Sequence, residues 1–278
     1  MSVIGAIEPS LRKAEIERIK RKRPDSLAAY DLALRALPFL YSRMPGGVAT
    51  AIPLLEKALE LEPDYARARA DLAWCLHHRF SRGEHRDEDR AAAIGHARAA
   101  VASGGDDATT LAVAAFVIAL EEHDCATALS LFDRALALSN SNVFALGFSA
   151  TTLAWMGRTE LAIERAQRAL RLSPFDPLNV GPQDALAIAH FHAKRYDEAA
   201  DAARRAMEFN PGFSVPHALL AAALIRLGRV GEARVAAQRV IALQPTFTIR
   251  SFLLTVGLVP EVYEPFADAW RAAGLPEE

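Results

Sequence analysis

Three histidines near residue 80 form the first group whose residue types could support metal chemistry. His77 and His78 are adjacent, and His85 follows in a polar stretch. Imidazole nitrogens are common ligands of transition metals. On a helix, however, neighbouring side chains point about 100° apart, so His77 and His78 are poorly placed to share one ion. His190 and His192 also face different directions. The sequence therefore predicts no bound metal and no cofactor.

The two cysteines offer a second kind of chemistry, a nucleophilic thiolate. Cys75 falls at an inward position of a predicted helix, where a small apolar side chain is expected. Cys125 follows His123 and Asp124 in a predicted turn, so a thiol–imidazole pair is an alternative there, although the turn indicates no pocket. The sequence contains no glycine-rich phosphate loop and no G-x-S-x-G, H-E-x-x-H or C-x-x-C motif. We therefore expect that the protein is not an enzyme.

Composition narrows the class of protein further. Of the 278 residues, 51% are hydrophobic and 24% are charged, which is enough apolar side chain for a core. The net charge of −2 argues against a chain-wide polycation for nucleic acid. Two cysteines in a chain of this length favour a reducing cytoplasm, and no apolar run reaches the roughly 20 residues that span a bilayer. We expect a cytoplasmic protein with no membrane span.

The elements that carry these residues are helices arranged in a repeat. Alanine, leucine and arginine are strong helix formers, and no segment alternates with the period of a strand. A phrase that opens on alanine recurs along the chain, at positions 128, 162, 199 and 233, with spacings of 34, 37 and 34 residues. Earlier copies open at 51 and 93. Proline follows most copies, which predicts the end of a helix. Gly157 and Gly228 precede two copies and predict turns with positive φ.

This pattern resembles the tetratricopeptide repeat, a pair of antiparallel helices with a period of about 34 residues. The resemblance implies an all-α fold, a right-handed α-α superhelix of about six helix-turn-helix repeats with a C-terminal capping helix. We assign a basic N-terminal linker helix to residues 1–24, six repeats to 25–247 and a C-terminal capping segment to 248–278. The final helix is predicted at 260–273, where it covers the apolar face of the last repeat.

The two ends of the chain carry a narrower resemblance. Residues 3–9 (VIGAIEP), 23–31 (RPDSLAAYD), 266–268 (FAD) and 272–277 (AAGLPE) are similar to the C-terminal repeat region of proteobacterial class III adenylate/guanylate cyclases and of related winged-helix transcriptional regulators. A cyclase domain needs metal-binding aspartates on a sheet, and the sequence predicts no sheet. The resemblance therefore implies a regulatory or scaffold module of a bacterial signalling protein.

The resemblance also maps an inner, concave surface that binds a partner. The first helix of each repeat lines this surface, whose predicted peptide-binding residues are Trp74, His77, His78, Phe116, Phe148, Thr151, Trp155, Asp184, Ile188, Phe191, His192 and Arg226. Because the mapped surface contains no lysine or asparagine, it argues against a carboxylate clamp for chaperone tails. An apolar or helical segment of a protein partner fits better. The alternative is that Phe116, Phe148 and Trp155 simply pack between helices.

Two alternative functions remain at this level. The chain could be the regulatory C-terminal part of an adenylate/guanylate cyclase. It could instead be a transcription-associated regulator that contacts DNA through its basic arm, since residues 8–24 hold seven Lys or Arg against three acids. Glu15 and Glu17 interrupt that charge, and no aromatic residue is interleaved. We therefore expect a protein partner rather than nucleic acid.

Overall fold

The computed structural model of the protein describes residues 14–16 and 28–278. Residues 14–16 are helical, and the rest of the linker helix predicted at 1–24 lies outside the described residues. The α-helices that follow are α1 Ala29–Leu40, α2 Pro45–Leu61, α3 Ala66–Arg82, α4 Asp87–Ser103, α5 Ala108–Val117, α6 Cys125–Leu138, α7 Val143–Trp155, α8 Thr159–Leu172, α9 Val180–His192, α10 Tyr196–Phe209, α11 Ser214–Arg226, α12 Val230–Leu243, α13 Ile249–Val256 and α14 Pro260–Ala273.

Small residues and prolines explain why helices α1 to α12 form consecutive pairs. The recurring alanines of the second helices are fully buried, as Ala128 and Ala162 illustrate, so that neighbouring helix backbones can approach closely. Helices α8 and α10 end two residues before Pro174 and Pro211, which cannot continue the hydrogen-bond ladder.

The turns inside the pairs confirm the predicted role of glycine. Gly157 and Gly228 have φ of +73° and +75°, a conformation that favours glycine because it has no Cβ. Lys194 occupies the equivalent turn between α9 and α10 with φ of +59°. Aspartates cap other helices, because the Asp107 carboxylate accepts hydrogen bonds from the backbone of Thr109 and Thr110 at 2.8 and 3.2 Å.

The chain divides into two compact bodies. The N-terminal body contains residues up to 80, 85–145 and 171–176, and the C-terminal body contains 81–84, 146–170 and 177–278. Each has its own core, with Trp74, Phe80 and Phe132 fully buried in the first and Phe247, Phe266 and Trp270 in the second.

The all-α repeat fold that the sequence predicts is confirmed. No strand occurs among residues 28–278. The final helix predicted at 260–273 is present as α14, whose N1 position is a proline and whose C-terminus ends at Gly274 with φ of +90°.

Candidate functional site

The residues predicted to bind a partner divide between the two bodies. Trp74, His77, His78 and Phe116 lie in the N-terminal body on α3 and α5. Phe148, Thr151 and Trp155 on α7, Asp184, Ile188, Phe191 and His192 on α9, and Arg226 on α11 lie in the C-terminal body. The N-terminal body brings its four residues together. In the C-terminal body, Trp155, Phe191 and Arg226 contact the same helix, α14.

A buried pair of ionisable side chains lies at the centre of the N-terminal group. His77 Nδ1 lies 2.5 Å from Glu121 Oε1, and both side chains are almost fully buried. The edge of Phe116 faces the His77 ring at 5.7 Å between centroids. The ring of His78 lies against His77 on one side and Trp74 on the other, at 4.9 and 5.4 Å. The four predicted residues of this body therefore form one connected cluster around Glu121.

Glu121 is the functional candidate that sequence reasoning missed. It lies in a π-helical turn, Ile118–Glu122, that continues α5. A π-turn adds one residue to the helical ring and changes which side chains point inward. Arg90 reaches the same residue, with its Nε 3.0 Å from the Glu121 carbonyl and 3.4 Å from its carboxylate. The sequence signal that could have identified Glu121 is its position, because it is the acid that ends the apolar run beginning in α5.

A second ion pair adds polarity to the same body. Arg67 Nε donates to both carboxylate oxygens of Asp71 at 3.0 and 2.9 Å, and the Asp71 side chain is buried. The Arg67 guanidinium also lies over the Phe144 ring at 5.3 Å. Nearby, burial raises the pKa of Tyr65 to about 12, so its hydroxyl stays protonated at neutral pH. The N-terminal body therefore contains charged and hydroxyl side chains close to aromatic rings.

Neither cysteine is in an environment that activates a thiol. Burial raises the pKa of Cys75 well above its usual range, and Asp71 raises it further. Burial and the adjacent Asp124 raise the pKa of Cys125. A raised pKa lowers the thiolate fraction, which is the nucleophilic form. Among residues 14–16 and 28–278, no group of His, Cys, Asp and Glu has the geometry of a metal site.

In the C-terminal body, the predicted inner residues contact the last helix of the chain. The ring of Phe191 stacks on Phe266 of α14 at 3.9 Å between centroids and 22° between planes. Trp155 contacts the same ring at 5.2 Å, and Phe252 of α13 at 6.1 Å. Trp270 then packs on Phe266 at 5.5 Å. Helix α14 therefore lies along an aromatic surface built by α7, α9 and α13.

Two hydrogen bonds fix α14 on this surface. Arg226 Nη2 donates to the carbonyl of Pro265 at 2.8 Å, and its guanidinium lies over Phe191. Trp270 Nε1 donates to the Ala218 carbonyl of α11, also at 2.8 Å. Both contacts join α11 to α14, which packs mainly against that helix.

Of the two interpretations of Trp155 and Phe148, an inner surface open to a partner or packing between helices, the structure favours packing. Their exposed fractions are 2% and 4%, and for Trp155 the covering residues are Phe266 and Phe252. The capping helix was expected to cover the last repeat alone, but α14 continues past α11 to the rings of α9 and α7.

Ile188 and Asp184 are buried on α9, whereas His192 is half-buried and Arg226 is exposed. Thr151 donates to the carbonyls of Gly147 and Gly181 at 3.2 and 3.3 Å.

The pKa values of three histidines predict how the stability of the folded protein depends on pH. Burial lowers the pKa values of His96, His190 and His217. The folded protein holds them neutral, while the unfolded chain protonates them near their ordinary pKa of 6.5. Stability is therefore fully present above this value and falls as the pH drops below it. We expect the melting temperature to fall between pH 7 and about 5. A variant with His96→Gln, His190→Gln and His217→Gln should show a shallower fall, and an unchanged slope would contradict the assignment.

The comparison with protein families agrees with the repeat geometry. The tetratricopeptide repeat model matches residues 46–79, which cover most of α2 and α3, and residues 190–250, which run from the end of α9 to the start of α13. A search of curated protein sequences finds no significant match. The chain is therefore a helical-repeat protein, and residues 46–79 and 190–250 are similar to tetratricopeptide repeats.

Solved structures share this fold at low sequence identity. One chain of the APC/C hetero-tetramer Cut9–Hcn1 is 16% identical with a TM-score of 0.62, over 89% of this chain and 46% of that one. A human IFIT1 dimer with PPP-AAAA is 19% identical with a TM-score of 0.62, over 79% and 51%. PilF of Pseudomonas aeruginosa is 20% identical with a TM-score of 0.51, over 74% and 88%. The chain spans about half the length of the first two chains. No helix within the described part of the chain is long and apolar enough to cross a membrane.

Proposed function

We propose that the protein is a non-enzymatic interaction scaffold whose inner helices bind an apolar helical segment of a protein partner. The observation that carries this proposal is α14 itself, an amphipathic helix held on the aromatic residues Trp155 and Phe191. A surface that holds one amphipathic helix through aromatic contacts and backbone hydrogen bonds has the chemistry to hold another. The buried Glu121 carboxylate in the N-terminal body contacts His77 and Arg90 of the same chain. These internal contacts are the reason that the proposal places the partner on the C-terminal surface instead.

The finer proposal concerns the setting in which the scaffold works. We propose that it is a cytoplasmic regulatory module of, or related to, a bacterial signalling protein. The alternatives are the regulatory C-terminal part of an adenylate/guanylate cyclase and a transcription-associated regulator that uses the basic N-terminal arm. The similarity of residues 23–31 and 266–268 to those repeat regions supports this proposal. The two thiols, which form no disulfide, fit a reducing compartment.

A protein partner fits the C-terminal surface better than nucleic acid does. Binding of nucleic acid depends on clustered Lys and Arg that replace counterions. The described contacts of α14 include the rings of Trp155 and Phe191, with Arg226 at their exposed edge. Such aromatic anchors are typical of protein interfaces.

A photo-crosslinking amino acid placed at two exposed positions tests the proposed function. Position Arg226 lies beside the aromatic surface, and position Val235 on α12 is 66% exposed and serves as the control. We expect irradiation in cells to join a discrete polypeptide at Arg226 and not at Val235. Equal yields at both positions, or no adduct at Arg226, would contradict the proposal.

The absence of catalysis is a separate prediction. We expect the purified protein to produce neither cyclic nucleotide nor phosphate from Mg-ATP or Mg-GTP, because the sequence has no phosphate loop and both thiols have raised pKa values. Product analysis by chromatography checks this. Turnover that increases with protein concentration and survives repeated purification would refute it.

A further inference from the structure

We infer that α14 is an internal occupant of a surface that also receives a partner's helix, and that this partner helix presents an aromatic pair four residues apart. The surface consists of Trp155 and Phe191, with Arg226 at its exposed edge, and is called here the aromatic dock. This inference rests on the proposed scaffold function and names both the kind of partner and the segment that competes with it.

The buried face of α14 specifies the chemistry of the partner. Val262, Phe266 and Trp270 are spaced by four residues, so they lie on successive turns of one helix face. Their exposed fractions do not exceed 2%. Residues on the opposite face are exposed and mostly charged, namely Glu261, Glu264, Asp268 and Arg271. A partner that replaces α14 therefore needs an aliphatic residue followed by two aromatic residues at the same spacing, and a polar outer face.

The polar contacts of the dock do not depend on features unique to this chain. Arg226 binds a backbone carbonyl, which any helix can offer, and the Ala218 carbonyl accepts from an indole N–H. A partner with tryptophan at the second aromatic position satisfies both groups. The stacked contact between Phe191 and the first aromatic ring completes the match.

The sequence of α14 itself indicates that it can be exchanged. Residues 257–259 join it to α13, and the backbone N–H groups of Ile249 and Arg250 donate to the carbonyls of Pro276 and Glu277 at 2.9 and 3.2 Å. Pro265 lies inside it, where it removes a backbone hydrogen bond. A helix of 14 residues with an internal proline is not stable in isolation. The contacts with the dock therefore stabilise the helical state of α14, and release of α14 should be accompanied by loss of its helical structure.

The first test measures binding of a fluorescent peptide with the sequence of residues 258–278 to the full-length protein. The attached helix competes at an effective concentration of about 1 mM, so wild type should bind the peptide weakly. Trp270→Ala removes an indole and its hydrogen bond from the attached helix, and should tighten peptide binding at least about tenfold. Glu264→Ala, on the exposed face of the same helix, is the matched control and should bind as wild type does.

A reversible lock provides the second test and does not depend on Trp270→Ala folding. A Cβ built at Gly157 lies 3.0 Å from Val262 Cγ2, so Gly157→Cys with Val262→Cys places the two new side chains next to each other. The strain of a side chain at φ of +73° is present in the oxidised and the reduced protein alike, so the comparison between these two states remains valid. Cys125→Ser removes the partly exposed native thiol. When oxidised, this protein should bind the peptide at least about tenfold more weakly than when reduced, because the dock stays filled.

Four results would overturn the inference. Equal peptide affinity in the oxidised and reduced states would mean that the peptide binds elsewhere. No peptide binding to Trp270→Ala and to the reduced lock variant would mean that α14 is not exchangeable. A concentration-dependent dimer abolished by the lock would assign the dock to a second copy of the chain. If cellular adducts at Arg226 form equally with the lock closed, the scaffold function stands and this inference fails.

Discussion

Replacing Glu121 by alanine is expected to lower the free energy of unfolding by about 3–5 kcal/mol, because it leaves the buried His77 ring and the Arg90 guanidinium without the carboxylate that both contact. His77 Nδ1 then loses its contact at 2.5 Å, and the Arg90 guanidinium loses the nearby carboxylate. Glu121→Gln keeps a hydrogen-bond acceptor and should lose less. Urea denaturation followed by circular dichroism measures both changes.

The adjacent Glu122 supplies the control for this prediction. Glu122 pairs with Arg98 near the surface, and exposed ion pairs contribute about 0.2–1 kcal/mol. Glu122→Ala should therefore have a small effect on the same π-helical turn. If Glu121→Ala and Glu122→Ala lower stability equally, the buried pair does not hold the N-terminal body together.

Truncating Phe148 and Trp155 to alanine together should also destabilise the protein strongly. Both rings are buried, and loss of a large buried aromatic side chain costs about 3–5 kcal/mol through lost transfer energy and an unfilled cavity. We expect the double variant to melt well below wild type or to be unfolded. Each single variant should show an intermediate loss in differential scanning calorimetry.

Phe175 provides the control, because removing its exposed ring tests whether the loss of any aromatic side chain is enough to destabilise the protein. Phe175 is 80% exposed, and its truncation to alanine should change stability by no more than about 0.5 kcal/mol. A double variant of Phe148 and Trp155 that melts like Phe175→Ala would show that the two rings are surface residues in solution.

Local patterns in the sequence were sufficient to predict the helix pairs. The period of the alanines, the prolines after α8 and α10, and the turn glycines each act within a few residues, and the structure confirms them. Gly157 illustrates this, since the turn between α7 and α8 requires a positive φ whatever the neighbouring helices do.

Tertiary packing determines which surface α14 covers and which rings are buried, and the sequence pattern did not predict these features. The pattern of Val262, Phe266 and Trp270 predicts an amphipathic helix, but it does not say which apolar surface that helix covers. For the same reason, the sequence pattern did not predict that Trp155 is buried. Its burial depends on a helix about a hundred residues later in the chain. Glu121 was missed because a π-turn shifts the helical register without changing the residue pattern.

Helix α14 is held on the aromatic dock by the stacking of Phe266 on Phe191, and a double-mutant cycle on these two residues measures that contact. Phe191→Ala, Phe266→Ala and the double variant are compared with wild type by urea denaturation. Because the rings stack at 3.9 Å, the two losses should be non-additive, with a coupling energy of about 0.5–1.5 kcal/mol. Strict additivity would mean that the rings do not touch in solution, and would contradict the placement of α14 on this surface.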